Sequence, residues 1–473
     1  MKPVPASQIA AIVGGHVLSE MGATLVGPSV VLDSRQASPG ALFVAIAGDR
    51  VDGHDFAAAA AAGGASAALV AHPVDAPLAQ IIVDDVPAAL SLLARDIATT
   101  AIGRGLVSLA LTGSSGKTTT KDMVAQLLEP VGPTVAPIGS YNSKLGLPVT
   151  VCAIEDDTAF LVAEMGASKI GHIAWLCSIA QPGIAAVLNV GHAHIGEFGS
   201  QEAIAQAKGE IVEALPASGW AVLNADDPLV SAMVSRTSAQ IAWFVPSGNP
   251  PACAQCWIGA KDVRLDEADR ASFTLCGDFG AGSFSETVRL RTMGAHQVAN
   301  AVAAAALATC AGATPAQIAS GLNSAVARSH WRMEPHILRG GAFLLNDAYN
   351  ANPDSVAMAL ASVKRLCDAR PGATAVAVLG DMLELGPASV MAHEEIGRQA
   401  AMIGAEVVAV GDFAPVVVAG ARRAGGVAQA IEATRVADWL MHHLFDVVLI
   451  KGSRGIGLEA IVHQLIEARG EEA

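Results

Sequence analysis

The sequence predicts an α/β protein of three consecutive domains, covering residues 1–100, 101–325 and 326–473. Strand-like apolar runs alternate with helix-like segments through the second and third of these blocks, which is typical of parallel sheets covered by helices. A chain of 473 residues is also long enough for about two to four domains. Because no Pro/Ser-rich linker separates the blocks, the boundaries are placed only to within about ten residues.

The composition is that of a folded protein, and it argues against several functional classes. Apolar residues make up 52% of the chain and aromatic residues only 4%, so the cores must be built mainly from Ala, Val, Leu and Ile. A net charge of −15 does not suit a general nucleic-acid binder, which needs clustered Lys and Arg. The Ala-rich windows are too short for a membrane span. These features predict a cytoplasmic protein with no nucleic-acid partner and no stable membrane insertion.

The cysteines predict free thiols in a reducing compartment, because they are seven in number and scattered along the chain. Cys253 and Cys256 form one C-x-x-C pair. A zinc site would need two more ligands nearby, and no second pair appears. We therefore expect a loop with two small residues here, and no metal or redox centre.

The elements follow one another in a βαβ rhythm. The first block contains the strand-like runs "ALFVAIAG" and "AALVA", bounded by turn-forming residues. The second alternates "FLVAEMGA", "IAAVLNV" and "WAVLNADD" with the helix-like "SQEAIAQAKGEIVEAL", and it ends in the Ala-rich helix "GAHQVANAVAAAALATCAG". The third repeats the rhythm with "AFLLNDAY", "TAVAVLGD", "EVVAVGD" and "DVVLIKGS". Mostly parallel sheets are expected in both blocks.

The stretch "LTGSSGKTTT" predicts a phosphate-binding loop, although it departs from the usual pattern. In G-x-x-x-x-G-K-[ST] the first glycine would stand at position 111, which is Leu111 here, and the first glycine is Gly113. A strand, a glycine turn, Lys117-Thr118 and a helix nevertheless follow in the expected order. Backbone N–H groups at such a helix start bind anions, the lysine adds a charge and the threonine offers a hydroxyl to Mg²⁺. The alternative is a Gly-Ser turn before an amphipathic helix.

Candidate metal ligands follow the next strands. Glu164 ends the run "FLVAE", and a carboxylate at a strand end beside a phosphate loop is well placed for Mg²⁺. A solvated glutamate is the alternative. His192 and His194 follow another strand, and Lys208 lies on the helix after it. Residue type alone favours packed or surface histidines there, and a solvated lysine beside Glu210.

Polar residues cluster around the first strand of the third block: Arg332, Asp347, Tyr349, Asn350 and Asn352. In an open α/β sheet, ligands bind at the carboxyl ends of the strands, so this segment is a candidate ligand site. The alternative is an Asx-type turn into a helix capped by Asp354 or Ser355.

The last strand-like run is followed by "KGSRGIG", which is similar to a dinucleotide fingerprint. A dinucleotide site needs an acidic residue at the end of the next strand, about 20 residues further on. No such strand follows, so we do not expect dinucleotide binding. Lys451 and the glycine turn are candidates for contact with another anionic group.

Several motifs occur in an order that points to one family: "TGSSGKTTT", "EMGAS", "GHAHIGEFGS…AKGEI", "LNADDP", "GAHQVANAVAAAA", "RMEP" and "NDAYNANPDS". On these motifs the chain resembles the Mur ligases over essentially its whole length. The shortened phosphate loop is that family's form. The stretch "DSRQASPGALFVAIAGDRVDGHDF" is similar to the family's UDP-binding domain. "NDAYNANPDS", with "LGDMLELG" and "HEEIG", resembles the branch that adds D-alanyl-D-alanine to UDP-N-acetylmuramoyl-tripeptide.

The resemblance implies a fold and an activity. The fold would be an N-terminal UDP-binding α/β domain, a central P-loop ATPase-like domain with a parallel sheet, and a C-terminal Rossmann-like ligase domain. The protein would be a monomer that uses ATP and two Mg²⁺ ions. Transfer of the γ-phosphoryl group would activate the tripeptide carboxylate as an acyl phosphate, which the amine of D-alanyl-D-alanine attacks. Because water would hydrolyse that intermediate, we expect the C-terminal domain to close on ATP binding.

The resemblance also implies roles for individual residues. The contacts to ATP would come from Gly113, Ser114, Ser115, Gly116, Lys117, Thr118, Thr119, Asn300, Arg332 and Asp347. Mg²⁺ would be held by Thr118, Glu164, His194 and a carbamylated Lys208, whose amine takes up CO₂. The catalytic residues would be Lys117, Lys208, His194, Arg332 and Asp347. The uridine diphosphate would lie near Ser34, Arg35, Asp52, Gly53 and His54. The other substrate contacts would come from Asn142, Asn350, Asn352, His393 and Lys451.

One segment departs from the family. Its G-N-x-N-N run is "GSYNS" here, so Asn142 remains while Ser140 and Ser143 replace two asparagines. Two alternatives to the expected activity stay open. One is a sister ATP-dependent ligase, either the diaminopimelate-adding enzyme of the same family or a folylpolyglutamate synthase. The first has a D-N-P-R motif that is absent here, and the second would not need the UDP-binding domain. The other alternative is a nucleotide-regulated binding module without ligation.

Overall fold

The computed structural model describes residues 1–18, 20–48, 51–192, 195–280 and 282–472. Within them the strands form four sheets, one of them a two-stranded ribbon, and the predicted α/β class is confirmed. The strands are β1 Val4–Pro5, β2 His16–Leu18, β3 Leu25–Val26, β4 Val30–Val31, β5 Leu42–Val44, β6 Ala67–Val70, β7 Ala79–Ile82, β8 Val107–Thr112, β9 Thr134–Val135, β10 Phe160–Glu164, β11 Ile184–Val187, β12 Trp220–Asn224, β13 Gln240–Val245, β14 Cys256–Leu265, β15 Arg270–Phe279, β16 Ser283–Met293, β17 Glu334–Ile337, β18 Phe343–Asp347, β19 Ala375–Gly380, β20 Glu406–Val410, β21 Ala428–Ala430 and β22 Val447–Lys451.

Helices cover the faces of the sheets. The α-helices are α1 Ala6–Val13, α2 Ala57–Ala62, α3 Val86–Gly103, α4 Lys117–Leu128, α5 Gly146–Cys152, α6 His172–Ala180, α7 Ile195–Phe198, α8 Gln201–Glu213, α9 Pro228–Ser231, α10 Gln297–Cys310, α11 Pro315–Ser324, α12 Pro353–Asp368, α13 Ser389–Met402, α14 Ala414–Arg423, α15 Ala433–Met441 and α16 Glu459–Arg469. In the described part of the chain, no helix combines the length and the apolar character that a membrane crossing requires.

The N-terminal sheet has five strands in the order β2-β7-β6-β5-β4. Strands β4 to β7 are parallel, and the run "ALFVAIAG" supplies β5, which is buried along its length as an interior parallel strand requires. Helix α3 follows, with Asp85 as its N-cap and Pro87 in its first turn. Because α3 continues to Gly103, it crosses the boundary predicted after residue 100. The limits of the three domains stay predictions.

The central sheet has nine strands in the order β16-β15-β14-β13-β12-β11-β8-β10-β9. Strands β8 to β14 pair in parallel, and they include the three strands predicted between residues 160 and 227. Strand β8 leads through a glycine turn into α4, which is the predicted order. The helix-like runs form α8 and the Ala-rich, mostly buried α10. The carboxyl ends of the parallel strands therefore share one edge of the sheet.

Strands β14, β15 and β16 form an antiparallel meander that the sequence analysis missed. Exposed and buried residues largely alternate along these strands, most clearly in Ser283–Met293, because only one face is covered. Such strands lack the continuous apolar run by which the parallel strands were found. Cys256 opens β14 and Cys253 lies in the preceding turn, and both are free thiols.

The C-terminal sheet has six strands in the order β17-β18-β22-β19-β20-β21. All its pairs are parallel except β17 with β18. Strands β18 and β22 are neighbours, and they end at Asp347 and Lys451. The carboxyl edge of this sheet faces the carboxyl edge of the central sheet, where β10 ends at Glu164.

An ion pair between the half-buried Arg365 and the buried Asp269 joins the central and C-terminal parts. Arg365 on α12 donates from Nε to Asp269 Oδ1 at 2.5 Å and from Nη2 to Oδ2 at 3.0 Å. Asp269, between β14 and β15, is 1% exposed, and its carbonyl accepts from the N–H of Gly294 at 2.8 Å. The paired charges therefore lie in the contact between the meander and α12.

Replacing Arg365 with methionine should lower the free energy of unfolding by about 3 kcal/mol, because the Asp269 carboxylate then stays buried without its partner. Urea denaturation followed by circular dichroism measures this. Arg398→Met is the matched control, since that guanidinium pairs with Glu395 on an exposed helix face. The control should lose less than about 1 kcal/mol. Equal losses in the two variants would contradict a stabilising role for the buried pair.

Candidate active site

A cavity of about 620 Å³ lies between the facing edges of the central and C-terminal sheets. Both sheets contribute polar residues to its wall, as strand ends in α/β folds do. The residues predicted from the sequence that line it are Ser114, Ser115, Gly116, Lys117, Thr118, Thr119, Asn142, Glu164, Lys208, Asn300, Arg332, Asp347, Asn350, Asn352 and Lys451.

The predicted phosphate loop is held by Asn189, which follows β11. Asn189 Oδ1 accepts from the N–H groups of Ser114 at 2.9 Å and Ser115 at 3.0 Å. Gly116 is left-handed with φ 79°, and a Cβ there would lie 2.4 Å from Asn300 Oδ1. Only glycine fits that position. The loop thus has the fixed backbone of an anion site at the start of α4.

Replacing Asn189 with alanine should weaken the binding of ADP about tenfold, because two loop N–H groups lose the acceptor that orients them. Isothermal titration calorimetry measures the change. Asn249→Ala, at an exposed position in a turn, is the control and should bind ADP as the unaltered chain does. Unchanged affinity in Asn189→Ala would show that the loop holds its form without this side chain.

Two lysines face the cavity, Lys208 buried and Lys117 half-buried. Lys117 Nζ donates to the carbonyl oxygen of Gly113 at 2.7 Å. Gly113, also predicted to contact ATP, is not among the residues that line the cavity. Burial lowers the pKa of Lys117, while the Glu164 carboxylate opposes this shift. Burial also lowers the pKa of Lys208 well below its usual range, and the charge of Lys117 acts in the same direction. Burial therefore favours the neutral, nucleophilic form of the Lys208 amine over the charged form.

Glu164 is the centre of an oxygen-rich group. Its Oε2 accepts from Thr118 Oγ1 at 2.8 Å. Its Oε1 accepts from Ser140 Oγ at 2.8 Å and from Asn142 Nδ2 at 2.6 Å. A hydroxyl and a carboxylate beside a phosphate loop are the hard oxygen ligands that Mg²⁺ prefers, so these residues fit that ion. The departure at Ser140 keeps a polar contact to the same carboxylate.

His194, the other predicted metal ligand, lies outside the described residues. The described residue before this gap, His192, makes a contact between the sheets. Its N–H donates to Asp354 Oδ2 at 3.0 Å, at the start of α12. Nearby, the N–H of Gly196 donates to the carbonyl oxygen of Glu384 at 3.2 Å. The chain around the predicted ligand thus contacts the C-terminal part on both sides.

The C-terminal wall carries a second buried ion pair. Lys451 Nζ lies 2.5 Å from Asp347 Oδ2 and donates to the carbonyl oxygen of Asn350 at 2.9 Å. Asp347 Oδ1 accepts from the N–H of Met333 at 3.0 Å. Asp347 therefore anchors both the end of β22 and the segment that carries Arg332.

Arg332 is held in a constrained segment. Its guanidinium stacks on the ring of Tyr349 at 4.0 Å from the centroid, and its Nε is buried without a partner among the described residues. The neighbours Trp331 and Met333 are left-handed, with φ 64° and 48°. Such backbone conformations persist only where surrounding contacts impose them, and they are common at functional sites. The guanidinium is positioned to meet an anionic group in the cavity.

The turn after β18 leads into α12, and the residue that caps this helix differs from the two candidates named from the sequence. The N-cap of α12 is Asn352, whose Oδ1 accepts from the N–H of Ser355 at 2.9 Å, while Ser355 Oγ accepts from the N–H of Asn352 at 3.1 Å. Neither Asp354 nor Ser355 is the cap. Asn352 therefore both caps the helix and lines the cavity.

His393 does not line the cavity, which corrects the expectation that it contacts substrate there. It is fully buried on α13. Its Nδ1 donates to the carbonyl oxygen of Ser389 at 2.7 Å, and its Nε2 accepts from the N–H of Met382 at 2.9 Å. Both ring nitrogens are engaged within the fold, and the ring stacks on Phe413 at 4.3 Å. Its place is structural.

The five residues predicted near the uridine diphosphate lie apart from the cavity, beyond the carboxyl ends of β4 and β5: Ser34, Arg35, Asp52, Gly53 and His54. Arg35 donates to Asp33, which lowers the pKa of that carboxyl to about 2. Asp52 accepts from His54 Nδ1 at 2.6 Å, and His54 Nε2 accepts from the N–H of Ala71. Both nitrogens of His54 are therefore engaged within the fold, and its ring stacks on that of His72 at 4.3 Å.

Other cavity residues gave no signal in the sequence. His172 opens α6, and its Nε2 is buried without a partner among the described residues. Gln297 opens α10 and accepts from Asn300 Nδ2 at 2.9 Å. A lone histidine and a helix-start glutamine are too common to single out. Asn189, which holds the phosphate loop, was also missed, although its position at the end of a predicted strand could have indicated a role at the site.

Comparisons with known proteins agree with this geometry. The family model described as Mur ligase middle domain matches residues 111–308, the model described as Mur ligase, glutamate ligase domain matches residues 331–454, and the model described as Mur ligase family, catalytic domain matches residues 29–98. The UDP-N-acetylmuramoyl-tripeptide--D-alanyl-D-alanine ligase of Mycobacterium tuberculosis is 41% identical, over 97% of each sequence. The chain belongs to the Mur ligase family.

Relatives of this Mur ligase from other bacteria carry the same name. The Escherichia coli (strain K12) protein is 35% identical over 99% of each sequence. A crystal structure of MurF from Acinetobacter baumannii covers 99% of each chain with 31% identity and a TM-score of 0.84. The crystal structure of MurF ligase from Thermotoga maritima in complex with ADP covers 93% of this chain and 97% of that one, with 28% identity and a TM-score of 0.75. The resemblance predicted from the motifs is confirmed.

Proposed function

We propose that this Mur ligase joins D-alanyl-D-alanine to UDP-N-acetylmuramoyl-tripeptide with ATP, giving ADP, phosphate and the pentapeptide nucleotide of peptidoglycan synthesis. The observation that carries the proposal is the cavity between the two sheet edges. It brings the phosphate loop, Glu164 and Lys208 to one wall and Arg332 and Asp347 to the other. Relatives named for this activity match nearly the whole chain, which supports the choice of substrates.

The chemistry needs an activated carboxylate and an attacking amine. The loop N–H groups and Lys117 bind the phosphates of ATP, and Arg332 approaches the same charge from the opposite wall. The tripeptide carboxylate attacks the γ-phosphorus, ADP leaves, and the product is an acyl phosphate. The free amine of the dipeptide then attacks the acyl carbon, and phosphate leaves with the bonding electrons. The two walls exclude water from this intermediate.

Mg²⁺ is part of the proposal, with Thr118 and Glu164 as ligands at the phosphate loop. When bound, such an ion offsets negative charge on the phosphoryl oxygens. We further propose that Lys208 is carbamylated. Its neutral amine adds to CO₂ and loses a proton, which converts the amine into a carboxylate-like ligand. With His194, this group would hold a second Mg²⁺.

Substrate contacts are proposed on two sides. The cluster of Ser34, Arg35, Asp52, Gly53 and His54 lies at a sheet edge, where α/β folds bind nucleotides, and we assign the uridine diphosphate to it. Asn142 faces the cavity from the central side. Asn350, Asn352 and Lys451 face it from the C-terminal side, where we place the dipeptide. A cytoplasmic monomer remains part of the proposal on the sequence grounds given above.

The deciding experiment measures phosphate release with ATP and Mg²⁺ while one component is omitted at a time. The full mixture contains UDP-N-acetylmuramoyl-tripeptide and D-alanyl-D-alanine. Release that requires both, with a pentapeptide product by mass spectrometry, would establish the activity. Release with a free amino acid in place of the dipeptide would indicate a sister ligase, and release with neither substrate would indicate a nucleotide-driven binding protein.

Closure of the C-terminal part on nucleotide is a further expected result. Small-angle X-ray scattering should show a smaller radius of gyration with ATP analogue and tripeptide nucleotide than without them, because ligand bridges the two walls. The tripeptide nucleotide alone is the control. Identical scattering in all states would contradict ligand-driven closure.

A further inference from the structure

Lys121 carries a buried charge that the ligation chemistry leaves unexplained. It lies on α4, one turn after Lys117, and it is 0% exposed. Its Nζ donates to the carbonyl oxygens of Pro137 and Gly139, the latter at 2.9 Å, and lies 2.9 Å from Asp122 Oδ1. A buried ammonium is costly unless its donors are satisfied, so this lysine is tied to its surroundings through all three contacts.

The contacts close into a ring. Asp122 Oδ2 accepts from the N–H of Ser329 at 3.1 Å. Ser329 Oγ in turn accepts from the N–H of Gly139 at 3.0 Å. Lys121 completes the ring by binding the carbonyl of Gly139. Helix α4, the loop at 137–143 and the connector at 326–333 thus meet at one buried polar network, whose satisfied members restrain each other.

Each arm of the ring leads to a different part of the cavity. The loop at 137–143 brings Ser140 and Asn142 to Glu164 Oε1. The connector at 326–333 carries Arg332. The phosphate loop has its own support from Asn189, which is independent of the ring. Loss of the ring should therefore leave the nucleotide contacts of the phosphate loop in place.

We propose that the Lys121–Asp122 pair is a positioning device for the ligation reaction, which orders the loop at 137–143 and the connector at 326–333 as one unit on α4. This inference rests on the proposed function for its catalytic consequence. Lys121 and Asp122 act through the residues that they hold in place, without touching the reacting atoms. A displacement of about 1 Å at those residues is enough to lower turnover about a hundredfold.

The test is Lys121→Met, which keeps an unbranched apolar side chain one atom shorter than lysine and removes the ammonium donors. Three results are expected together. Turnover falls at least about 30-fold, the dissociation constant of ADP stays within about threefold, and amide hydrogen exchange rises in both 137–143 and 326–333. Lys364→Met is the matched control, since that lysine is exposed on α12, and it should alter none of the three.

Other outcomes overturn the proposal. Exchange that rises in one segment alone, or in neither, would show that the two are not ordered together. Turnover within about threefold of the unaltered enzyme would show that the ring does not position the reacting groups. A general loss of ADP binding would assign Lys121 to the phosphate loop itself.

Ser329→Ala decides the question if Lys121→Met does not fold. It removes only the acceptor for the N–H of Gly139, and the same pattern is expected with turnover lowered about 5-fold or more. Unchanged exchange in this variant would overturn the proposal. Hydrogen exchange needs no turnover, so it tests the joint ordering of 137–143 and 326–333 even if the unaltered chain does not ligate the proposed substrates. Failure to ligate would count against the proposed function alone.

Discussion

Lys208→Ala is expected to abolish ligation, with turnover lowered by at least about 10³-fold. The lysine is 5% exposed on α8, where burial and the nearby charge of Lys117 hold its pKa far below the usual range. The proposed carbamate needs this amine, and the alanine variant has no group to carry the carboxylate. Steady-state phosphate release with both substrates measures the loss.

Rescue distinguishes this role from a purely structural one. Short carboxylates such as acetate should restore at least about tenfold of the lost rate in Lys208→Ala, because they can enter the vacated space as a carboxylate ligand. Lys364→Ala, at an exposed position on α12, is the control and should neither lose activity nor respond to acetate. Full activity of Lys208→Ala in carboxylate-free buffer would refute the carbamate.

Lys117→Met is expected to lower kcat/KM for ATP by about 10³-fold, because the ammonium is the charge that the phosphate loop offers to the transferring phosphoryl group. The Lys117 side chain is half-buried, and its Nζ lies 2.7 Å from the carbonyl oxygen of Gly113, which places it across the loop. Methionine keeps an unbranched apolar side chain, one atom shorter than lysine, and removes the charge. Kinetics with varied ATP measure the effect.

The fold of Lys117→Met should be unchanged, and its thermal unfolding midpoint should lie within about 3 °C of that of the unaltered chain. Lys261→Met is the control, because Lys261 lies at an exposed position on β14 and its loss should leave kcat/KM for ATP unchanged. A Lys117→Met enzyme within about tenfold of normal kcat/KM would remove this lysine from the chemistry.

The residues of the site that could be predicted from the sequence are those with a signal in their immediate sequence neighbourhood. The phosphate loop, Glu164 and Asp347 each follow an apolar strand, and the carboxyl ends of parallel strands meet at one edge. His393 was named on other grounds, as a substrate contact implied by the resemblance, and it does not line the cavity. The motif "HEEIG" placed it among substrate residues, but the helix turns the imidazole inward, where Met382 and Ser389 engage both nitrogens. Sequence proximity to a motif does not give the direction of a side chain.

What could not be predicted depends on contacts between distant segments. Asn189 supports the phosphate loop from about 75 positions further along the chain, and Ser329 reaches α4 across a still larger separation. Neither has a local signature. The strands of the meander were missed for another reason, since their alternating residues do not form the continuous apolar runs of buried parallel strands. The interpretation of Lys208 as a solvated lysine was wrong, because the side chain is buried in the folded protein.

Gly116 has a consequence for resistance to inhibitors. A side chain at this position would meet Asn300 Oδ1 at 2.4 Å, and the backbone has φ 79°, which disfavours other residues. An inhibitor that binds the N–H groups of this turn contacts main-chain donors, which every substitution except proline leaves in place. Bulk added at Gly116 to block the inhibitor would disturb the enzyme's own nucleotide loop. Escape variants selected against such a compound should therefore arise at the cavity's side chains, and the glycine should persist in every survivor.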